Sequence, residues 1–296
     1  MTSRKLWAIL ALTFVLVACG RPDDDAGSTG GGGTGGTGST AIEHPTGADE
    51  VVLRVEYTGG FVPVEYTLRS IPSWTLYGDG TLVMQAPQIE IYPPPALPGL
   101  TATSISEEGV QAILEAARDA GLMNGDASYG NDCIADAATT VFTTNADGST
   151  SVVSAYALDI GDPTDGCGNE QEADERAALA EFQMQLGDLR SWLPTGSVGQ
   201  EQPVDPTELR VYSQPYRGKP EPPQDEVAWP LGEPLDSFGD PVEELGGTMR
   251  CGVVRGEELS TLLPVAASST EITPWTSDAG EYRLIFRPLL PDERGC

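Results

Sequence analysis

Residues 74–85 read WTLYGDGTLVMQ, in which Gly78, Asp79 and Gly80 separate two apolar runs. Glycine accepts the left-handed backbone conformations that tight turns use, so this pattern predicts a β-hairpin. Asp79 is interpreted as a turn residue, with a functional role as the alternative. The hairpin indicates that the first half of the chain is built on an antiparallel sheet.

Strand patterns flank the hairpin on both sides. Apolar and polar residues alternate in VVLRVEYT (residues 51–58) and in VEYTLR (residues 64–69), and IEIY (residues 89–92) precedes three prolines. Alternation places the apolar side chains on one face of a strand. We therefore predict an antiparallel meander with one buried face.

Two helices are predicted to cover that face. In residues 104–122, SISEEGVQAILEAARDAGL, either Ser104 or Ser106 is the N-cap and Gly121 ends the helix. TTVFTTNADGSTSVVSAYAL then predicts a second hairpin that turns at residues 145–148. A longer helix follows, where apolar residues recur at spacings of three and four: Leu179, Phe182, Leu186, Leu189 and Leu193. Residues 49–195 are thus expected to form an α+β unit, an antiparallel β-meander packed by two helices.

A second unit is predicted after the stretch LPTGSVGQEQPVDPTE (residues 193–208), which is typical of a domain boundary. Residues 196–296 are expected to form a smaller, proline-rich α+β unit. Its strands are predicted in TELRVYS, MRCGVV and EYRLIFRPL. Its helix is predicted in GEELSTLLPVA, where Pro264 bends or ends the helix.

The N-terminus has the features of an export signal. A basic pair at residues 4–5 precedes an uncharged run at residues 6–18, which at about 1.5 Å per residue is too short to cross a hydrocarbon core of ~30 Å. LVAC (residues 16–19) resembles the lipobox of bacterial lipoproteins. The resemblance implies that residues 1–18 are removed and that acylated Cys19 anchors the protein to the outer face of the bacterial cell membrane. An ordinary signal peptide with a chance cysteine is the alternative.

Residues 19–48 comprise this cysteine and a segment of glycine, serine and threonine without an apolar pattern, which predicts a flexible tether. His44, the one histidine of the chain, falls in or beside the tether and is expected to be a solvated linker residue. Catalytic triads and histidine zinc sites need an imidazole on a rigid scaffold, so this position argues against them. Lys219, the one lysine that remains after export, lies in the proline-rich YRGKPEPP, which offers no rigid surroundings for a catalytic amine.

Two further motifs carry a resemblance. TLYGDGT (residues 75–81) and FRPLLPDE (residues 286–293) resemble stretches of uncharacterised secreted lipoproteins of high-GC Gram-positive bacteria. That resemblance implies an extracytoplasmic location and brings no activity with it.

The charge balance excludes some partners. The chain has 16 basic and 45 acidic residues and a net charge of −29. Such a surface repels nucleic acid and anionic lipid, which leaves acylated Cys19 as the membrane contact. A solvated acidic surface is favoured over an acidic binding face.

The other four cysteines have no C-x-x-C spacing, and in an exported chain they favour disulfides over metal or thiol chemistry. Three pairings are possible. We predict Cys133 with Cys167 and Cys251 with Cys296, because the domain boundary lies between the two pairs.

Metal and cofactor motifs are weak. Residues 143–154 lack the acids of an EF-hand loop, and the chain has neither a P-loop nor a G-x-G-x-x-G motif, so no cofactor is expected. One acidic loop offers carboxylates at Asp159, Asp162, Asp165, Glu170 and Glu172. It is interpreted either as an irregular calcium site or as a solvated loop held by Cys167.

The aromatic residues suggest a groove only weakly. Four tryptophans are candidates for the floor of a carbohydrate or peptide groove, but their number favours positions in or near the core: Trp74, Trp192, Trp229 and Trp275. YPPPALP (residues 92–98) is interpreted as a connector rather than as a polyproline ligand.

These observations favour a non-enzymatic, membrane-anchored lipoprotein that binds or supports an envelope protein or glycan. A carboxylate-dependent envelope hydrolase and a calcium-stabilised adhesion module are the alternative hypotheses.

Overall fold

The hairpin at residues 74–85 is present in the computed structural model and lies inside an eight-stranded sheet. The structure describes residues 41–296 except 89, 132, 159, 161–171, 246 and 279. The strands of this first sheet are β1 (Val51–Gly59), β2 (Trp74–Tyr77), β3 (Thr81–Gln85), β4 (Leu100–Ser104), β5 (Ala127–Tyr129), β6 (Ala138–Ala146), β7 (Ser149–Tyr156) and β8 (Gln202–Val204). Their order is β5-β7-β6-β1-β2-β3-β4-β8, and β5 and β7 are the parallel neighbours in an otherwise antiparallel sheet.

The turn of this hairpin is packed closely on both sides. A Cβ at Gly78 would lie 2.5 Å from the carbonyl oxygen of Pro45, and a Cβ at Gly80 would lie 2.3 Å from that of Ile105. Between them, Asp79 Oδ1 accepts a hydrogen bond from the backbone nitrogen of Thr81 at 2.9 Å. Asp79 therefore has the bonding of a turn residue, as predicted.

The described part of the chain contains the helices α1 (Val64–Arg69), α2 (Glu107–Asp119), α3 (Ala173–Leu186), α4 (Leu189–Trp192) and α5 (Gly256–Ala267). Ser106 is the N-cap of α2, because its side chain accepts from the backbone nitrogen of Gly109 at 3.3 Å. Gly121 follows the helix with a φ of +84°. The second predicted helix is divided at Gly187 into α3 and α4, and its five predicted apolar residues are all buried in the first core.

The first hydrophobic core lies between the first sheet and helices α2 to α4. Strand pairing places Val55 on β1 opposite Phe142 on β6. The ring of Phe142 lies 6.2 Å from the ring of Phe182 on α3. The hydrophobic face of the sheet is thus covered by helices, as the α+β prediction requires.

A second sheet follows the first in sequence. Its strands are β9 (Glu208–Pro215), β10 (Val227–Ala228), β11 (Asp240–Pro241), β12 (Arg250–Arg255), β13 (Trp275–Ser277) and β14 (Gly280–Pro288), in the order β10-β13-β14-β9-β12-β11. Helix α5 contributes Leu259 and Leu262 to the second core, in which the edge of Trp275 meets the rings of Trp229 and Phe286. The α+β class is confirmed: both sheets are mostly antiparallel and carry few helices.

Most residues of the first core precede the predicted boundary at residues 195 and 196 and most residues of the second core follow it, but Ala96 packs in the second core. The first sheet continues past that boundary, because β8 at residues 202–204 pairs with β4. Residues 41–296 nevertheless form one compact unit that contains both sheets. The predicted disulfide between Cys251 and Cys296 is formed, with an S–S distance of 2.05 Å. Cys167 lies outside the described residues, so its bond to Cys133 stays a prediction.

Two strand predictions are wrong. Residues 64–69 form α1 instead of a strand, because Pro63 cannot donate to a strand ladder and its carbonyl accepts from the backbone nitrogen of Tyr66 at 3.0 Å. Residues 90–92 are not in a strand either, and residue 89 lies outside the described residues. The edge of β3 is instead paired with β4, which the sequence analysis missed.

The predicted tether extends too far. Residues 41–48 are part of the folded body, because Ile42 is 4% exposed and packs in the first core. The side chain of Gln111 on α2 forms two hydrogen bonds with the backbone of Ile42. Gln111 Oε1 accepts from Ile42 N at 2.8 Å, and Gln111 Nε2 donates to Ile42 O at 2.9 Å. The predicted signal peptide, Cys19 and the rest of the predicted tether lie outside the described residues. Within the described ranges, no helix combines the length and the apolar composition needed to cross a membrane.

Candidate functional site

The most exposed apolar surface of the described chain surrounds helix α1. Seven of the ten exposed large apolar side chains belong to two short segments: Tyr57, Phe61, Val62, Val64, Tyr66, Ile91 and Tyr92. Phe61 is 88% exposed, Tyr92 is 72% exposed and Tyr66 is 61% exposed. Contiguous exposed apolar side chains are a common feature of interaction surfaces, so this region is the candidate binding surface.

Helix α1 itself is held weakly. It has no buried residue, and it lies against β14. Its Leu68 packs on a small cluster of the second sheet that includes Tyr212 and Ile285. Gly59 and Gly60, both with positive φ, end β1 and redirect the chain before the helix. The sequence thus builds a projecting segment that presents side chains to solvent.

A cavity of about 540 Å³ lies beside this helix. We call it the α1 pocket and define it by Glu65, Tyr66, Arg69, Gln88, Glu271 and Arg283, which line it together with neighbouring residues of β14. A smaller cavity of about 290 Å³ also borders α1 and is lined by Arg210 and Arg287. The α1 pocket falls within the size range of small-ligand sites, about 300 to 1,000 Å³.

Two ion pairs line the α1 pocket. Arg69 pairs with Glu271, and one of its amino groups donates to the carbonyl oxygen of Pro95 at 3.3 Å. The guanidinium of Arg283 lies 3.4 Å from Glu65. The charges of these two arginines and two glutamates cancel. The pocket wall therefore carries no net charge, although the chain as a whole is strongly acidic.

The two arginines also influence each other. Burial lowers the pKa of Arg69, and the positive charge of Arg283 lowers it further. Arg283 Nε is buried and has no hydrogen-bond partner within the described residues. A buried donor without an acceptor costs about 1–3 kcal/mol, so this arginine is incompletely satisfied by the protein alone.

A second set of charged residues lies where the C-terminus crosses the first sheet. We call it the C-terminal junction: Arg54, Tyr77, Arg287, Asp292 and Glu293. Asp292 Oδ1 accepts hydrogen bonds from Arg54 Nη2 and Tyr77 Oη, both at 2.7 Å. Arg287 donates to both carboxylate oxygens of Glu293, at 2.7 and 2.6 Å, and its Nε donates to the carbonyl oxygen of Ser70 at 2.7 Å.

The junction brings together the motifs TLYGDGT (residues 75–81) and FRPLLPDE (residues 286–293). TLYGDGT supplies Tyr77 and FRPLLPDE supplies Asp292, and these residues are hydrogen-bonded to each other. Leu290 of the second motif is 2% exposed and packs with Tyr77 in a small apolar cluster. Burial raises the pKa of Tyr77 and the bond to Asp292 raises it further, which keeps this phenol a donor. The motifs therefore specify a structural contact.

His44 is placed differently from the prediction. Its side chain is 5% exposed rather than solvated. Nδ1 lies 2.6 Å from the carbonyl oxygen of Pro45, and Nε2 lies 3.2 Å from Glu107 Oε1. Both partner atoms are hydrogen-bond acceptors of the protein, so each ring nitrogen is directed at a group of the folded body. His44 thus connects residues 41–48 to Glu107 at the start of α2.

The other residues singled out in the sequence are distributed over the molecule. Trp74, Trp229 and Trp275 are buried in the two cores, and Trp192 packs against the first core while its Nε1 donates to Gln185 O at 2.9 Å. None of the four lines the α1 pocket. Lys219 is exposed. Asp159, Asp162, Asp165 and Glu170 lie outside the described residues, which contain no group of three or more potential metal ligands.

The α1 pocket was not predicted from the sequence. Its residues come from α1, from the segment before β4, from the loop before β13 and from β14. One signal was available: the prolines and glycines around residues 59–63 interrupt the strand alternation and leave Phe61, Val64 and Tyr66 without a strand to bury them.

Comparison with known proteins adds no further assignment, because no family model, no curated protein and no solved structure matches this chain.

Proposed function

We propose that the chain is a lipid-anchored extracytoplasmic protein that binds another component of the bacterial envelope at the α1 pocket. The observation that carries the proposal is a cavity with polar walls whose lining includes the exposed ring of Tyr66, five residues after the exposed ring of Phe61. Phe61 and Tyr66 expose 88% and 61% of their surfaces, and Tyr66 lines the cavity. Apolar rings with a few fixed polar groups are the usual composition of binding sites.

The anchor rests on the sequence. LVAC at residues 16–19, after a short apolar run, supports acylation of Cys19, and the glycine-rich residues that follow support a tether. Intact-mass measurement of the mature protein tests this part. The expected result is an N-terminus at diacylated Cys19, and a mature N-terminus at any other residue contradicts the anchor.

The α1 pocket favours binding over hydrolysis. Its carboxylates are Glu65 and Glu271, and each faces an arginine. A glycosidase-type reaction requires two carboxyl groups that converge on one bond and are available for proton transfer or nucleophilic attack. Within the described residues, the pocket offers paired charges instead of such a pair of available carboxyl groups.

A photo-crosslinking experiment on intact cells tests the binding proposal. A benzoylphenylalanine side chain is introduced at Phe61 and, as the matched control, at Met184, which is 72% exposed on α3. We expect a discrete crosslinked product from position 61 and none from position 184. The same products from both positions, or none from position 61, contradict a binding surface at α1.

A further inference from the structure

We propose that the α1 pocket binds a neutral, polyhydroxylated ligand, that is, an uncharged segment of a glycan. This inference rests on the proposed function and names the chemical class of the ligand. It follows from three features of the pocket: the compensated charges on its wall, the exposed ring of Tyr66 in its lining, and its volume.

The charges argue against an ionic ligand. An anion would have to compete with Glu65 and Glu271 for the two arginines, in a chain with a net charge of −29. A cation would have to compete with Arg69 and Arg283 for the glutamates. A hydroxyl group does not have to displace either partner of an ion pair. It both donates and accepts hydrogen bonds, so it can bond to the arginine and to the glutamate.

The pairs retain hydrogen-bonding capacity for such a ligand. A guanidinium has five N–H donors and a carboxylate has about four acceptor sites, so one ion pair does not exhaust either group. The side chains of Arg283 and Glu65 are 33% and 29% exposed and line the cavity, so part of this capacity is accessible from it. Gln85 and Gln88 also line the pocket, and an amide, like a hydroxyl, both donates and accepts.

The aromatic rings supply the apolar part of the interaction. Sugar rings have faces made of C–H groups, which pack on aromatic faces. Tyr66 lines the pocket, and Tyr216 lines an adjoining cavity that shares Glu65 and Arg283 with the α1 pocket. Tyr66 exposes 61% of its surface. A cavity of about 540 Å³ has room for more than one small ring.

The test uses the full chain purified in detergent and a panel of neutral oligosaccharides of gluco, manno and galacto configuration, with an oligogalacturonate as the anionic comparison. Isothermal titration calorimetry measures binding at about 0.05 M and about 0.5 M NaCl. We expect at least one neutral oligosaccharide to bind with the same affinity at both salt concentrations and to bind more tightly than the oligogalacturonate. Affinity that falls with salt, or preference for the anionic sugar, overturns the inference.

Two variants locate the site. Tyr66→Ala is expected to weaken binding by about three- to tenfold, the effect of losing one aromatic contact, while Met184→Ala on the exposed face of α3 leaves the affinity unchanged. Glu65→Gln is expected to raise the affinity for oligogalacturonate, because it leaves Arg283 without its carboxylate. A bound neutral oligosaccharide that is insensitive to Tyr66→Ala overturns the assignment to the α1 pocket.

The crosslinking experiment separates this inference from the proposed function. If position 61 crosslinks to a protein while no neutral oligosaccharide binds, the glycan inference is wrong and the binding proposal stands. If neither position 61 nor any oligosaccharide gives a product, both are wrong.

Discussion

The C-terminal junction and the α1 pocket both contain arginine side chains paired with carboxylates. At the junction, the side chains of Arg287 and Glu293 are 10% and 16% exposed, and both carboxylate oxygens accept hydrogen bonds. At the α1 pocket, those of Arg283 and Glu65 are 33% and 29% exposed, lie 3.4 Å apart, and leave Arg283 Nε without a partner in the described structure.

This difference separates structural from binding roles. A buried charge pair that is fully hydrogen-bonded has nothing left to offer a ligand, and losing one member leaves an isolated buried charge. A partly exposed pair beside a cavity, such as Arg283 with Glu65, contributes less stability and keeps donors and acceptors for a ligand. The junction is therefore expected to control folding, and the α1 pocket is expected to control binding.

The largest expected effect comes from the disulfide that fixes the end of the junction. Replacing both Cys251 and Cys296 by alanine opens a loop with a sequence separation of 45 residues and is expected to lower the free energy of unfolding by about 4 kcal/mol. Chemical denaturation of both proteins measures it. A loss below about 1 kcal/mol would mean that the junction holds the C-terminus without covalent help.

The next effect concerns the bidentate pair of the junction. Arg287→Ala removes the partner of a nearly buried Glu293 and the bond to Ser70 O, so we expect a loss of about 3 kcal/mol in the free energy of unfolding. Arg294→Ala is the matched control, because the pair of Arg294 with Asp49 is mostly exposed. We expect this variant to change the free energy of unfolding by no more than about 0.5 kcal/mol. Equal losses in the two variants would contradict the structural role of the junction.

The sequence correctly predicted those secondary-structure elements that are determined by residues close to each other in the chain. The hairpin at residues 74–85 follows from its glycines, α2 follows from Ser106 and Gly121, and the buried stripe of α3 and α4 follows from helical periodicity. The pairing of Cys251 with Cys296 followed from the position of the domain boundary.

The wrong predictions share a different cause. Residues 64–69 alternate like a strand, but the neighbouring positions of the sheet are filled: β1 pairs with β2 on one side and with β6 on the other. Residues 41–48 look like a polar tether, but Ile42 fits the first core and Gln111 holds its backbone. In both cases a contact distant in sequence outweighs the local pattern.

The α1 pocket depends entirely on such distant contacts. Arg69 meets Glu271, and Glu65 meets Arg283, across more than half of the chain. Among 45 acidic and 16 basic residues, the sequence gives no reason to select these pairs. The exposed aromatic residues near α1 were visible in the sequence, but their exposure follows only from the helical form of residues 64–69.

A smaller effect is expected from pH at the junction. Burial of Asp292 acts to raise its pKa, but the hydrogen bonds from Arg54 and Tyr77 and the charge of Arg54 outweigh burial, so the pKa is lowered from the ordinary value of 3.8. A lowered folded-state pKa stabilises the protein above that ordinary value, and the contribution is lost as the pH falls through the folded-state pKa. Asp292→Asn should cost about 1–2 kcal/mol at neutral pH and reduce the loss of stability below about pH 4, as measured by denaturation across pH. An unchanged pH profile would exclude Asp292 as a contributor.

The smallest effect on stability is expected at the α1 pocket, where the effect on binding is expected to be largest. Tyr66 is 61% exposed on a helix without buried residues, so Tyr66→Ala should change the free energy of unfolding by no more than about 0.5 kcal/mol. Tyr77→Ala, which removes a fully buried tyrosine and the bond to Asp292, is the comparison and should cost about 3–5 kcal/mol. Thermal and chemical denaturation of the two variants give the stability difference, and crosslinking from position 61 in each gives the binding difference. If Tyr66→Ala unfolds the protein as Tyr77→Ala does, then the exposed ring is a structural element, and the separation between a folding junction and a binding pocket fails.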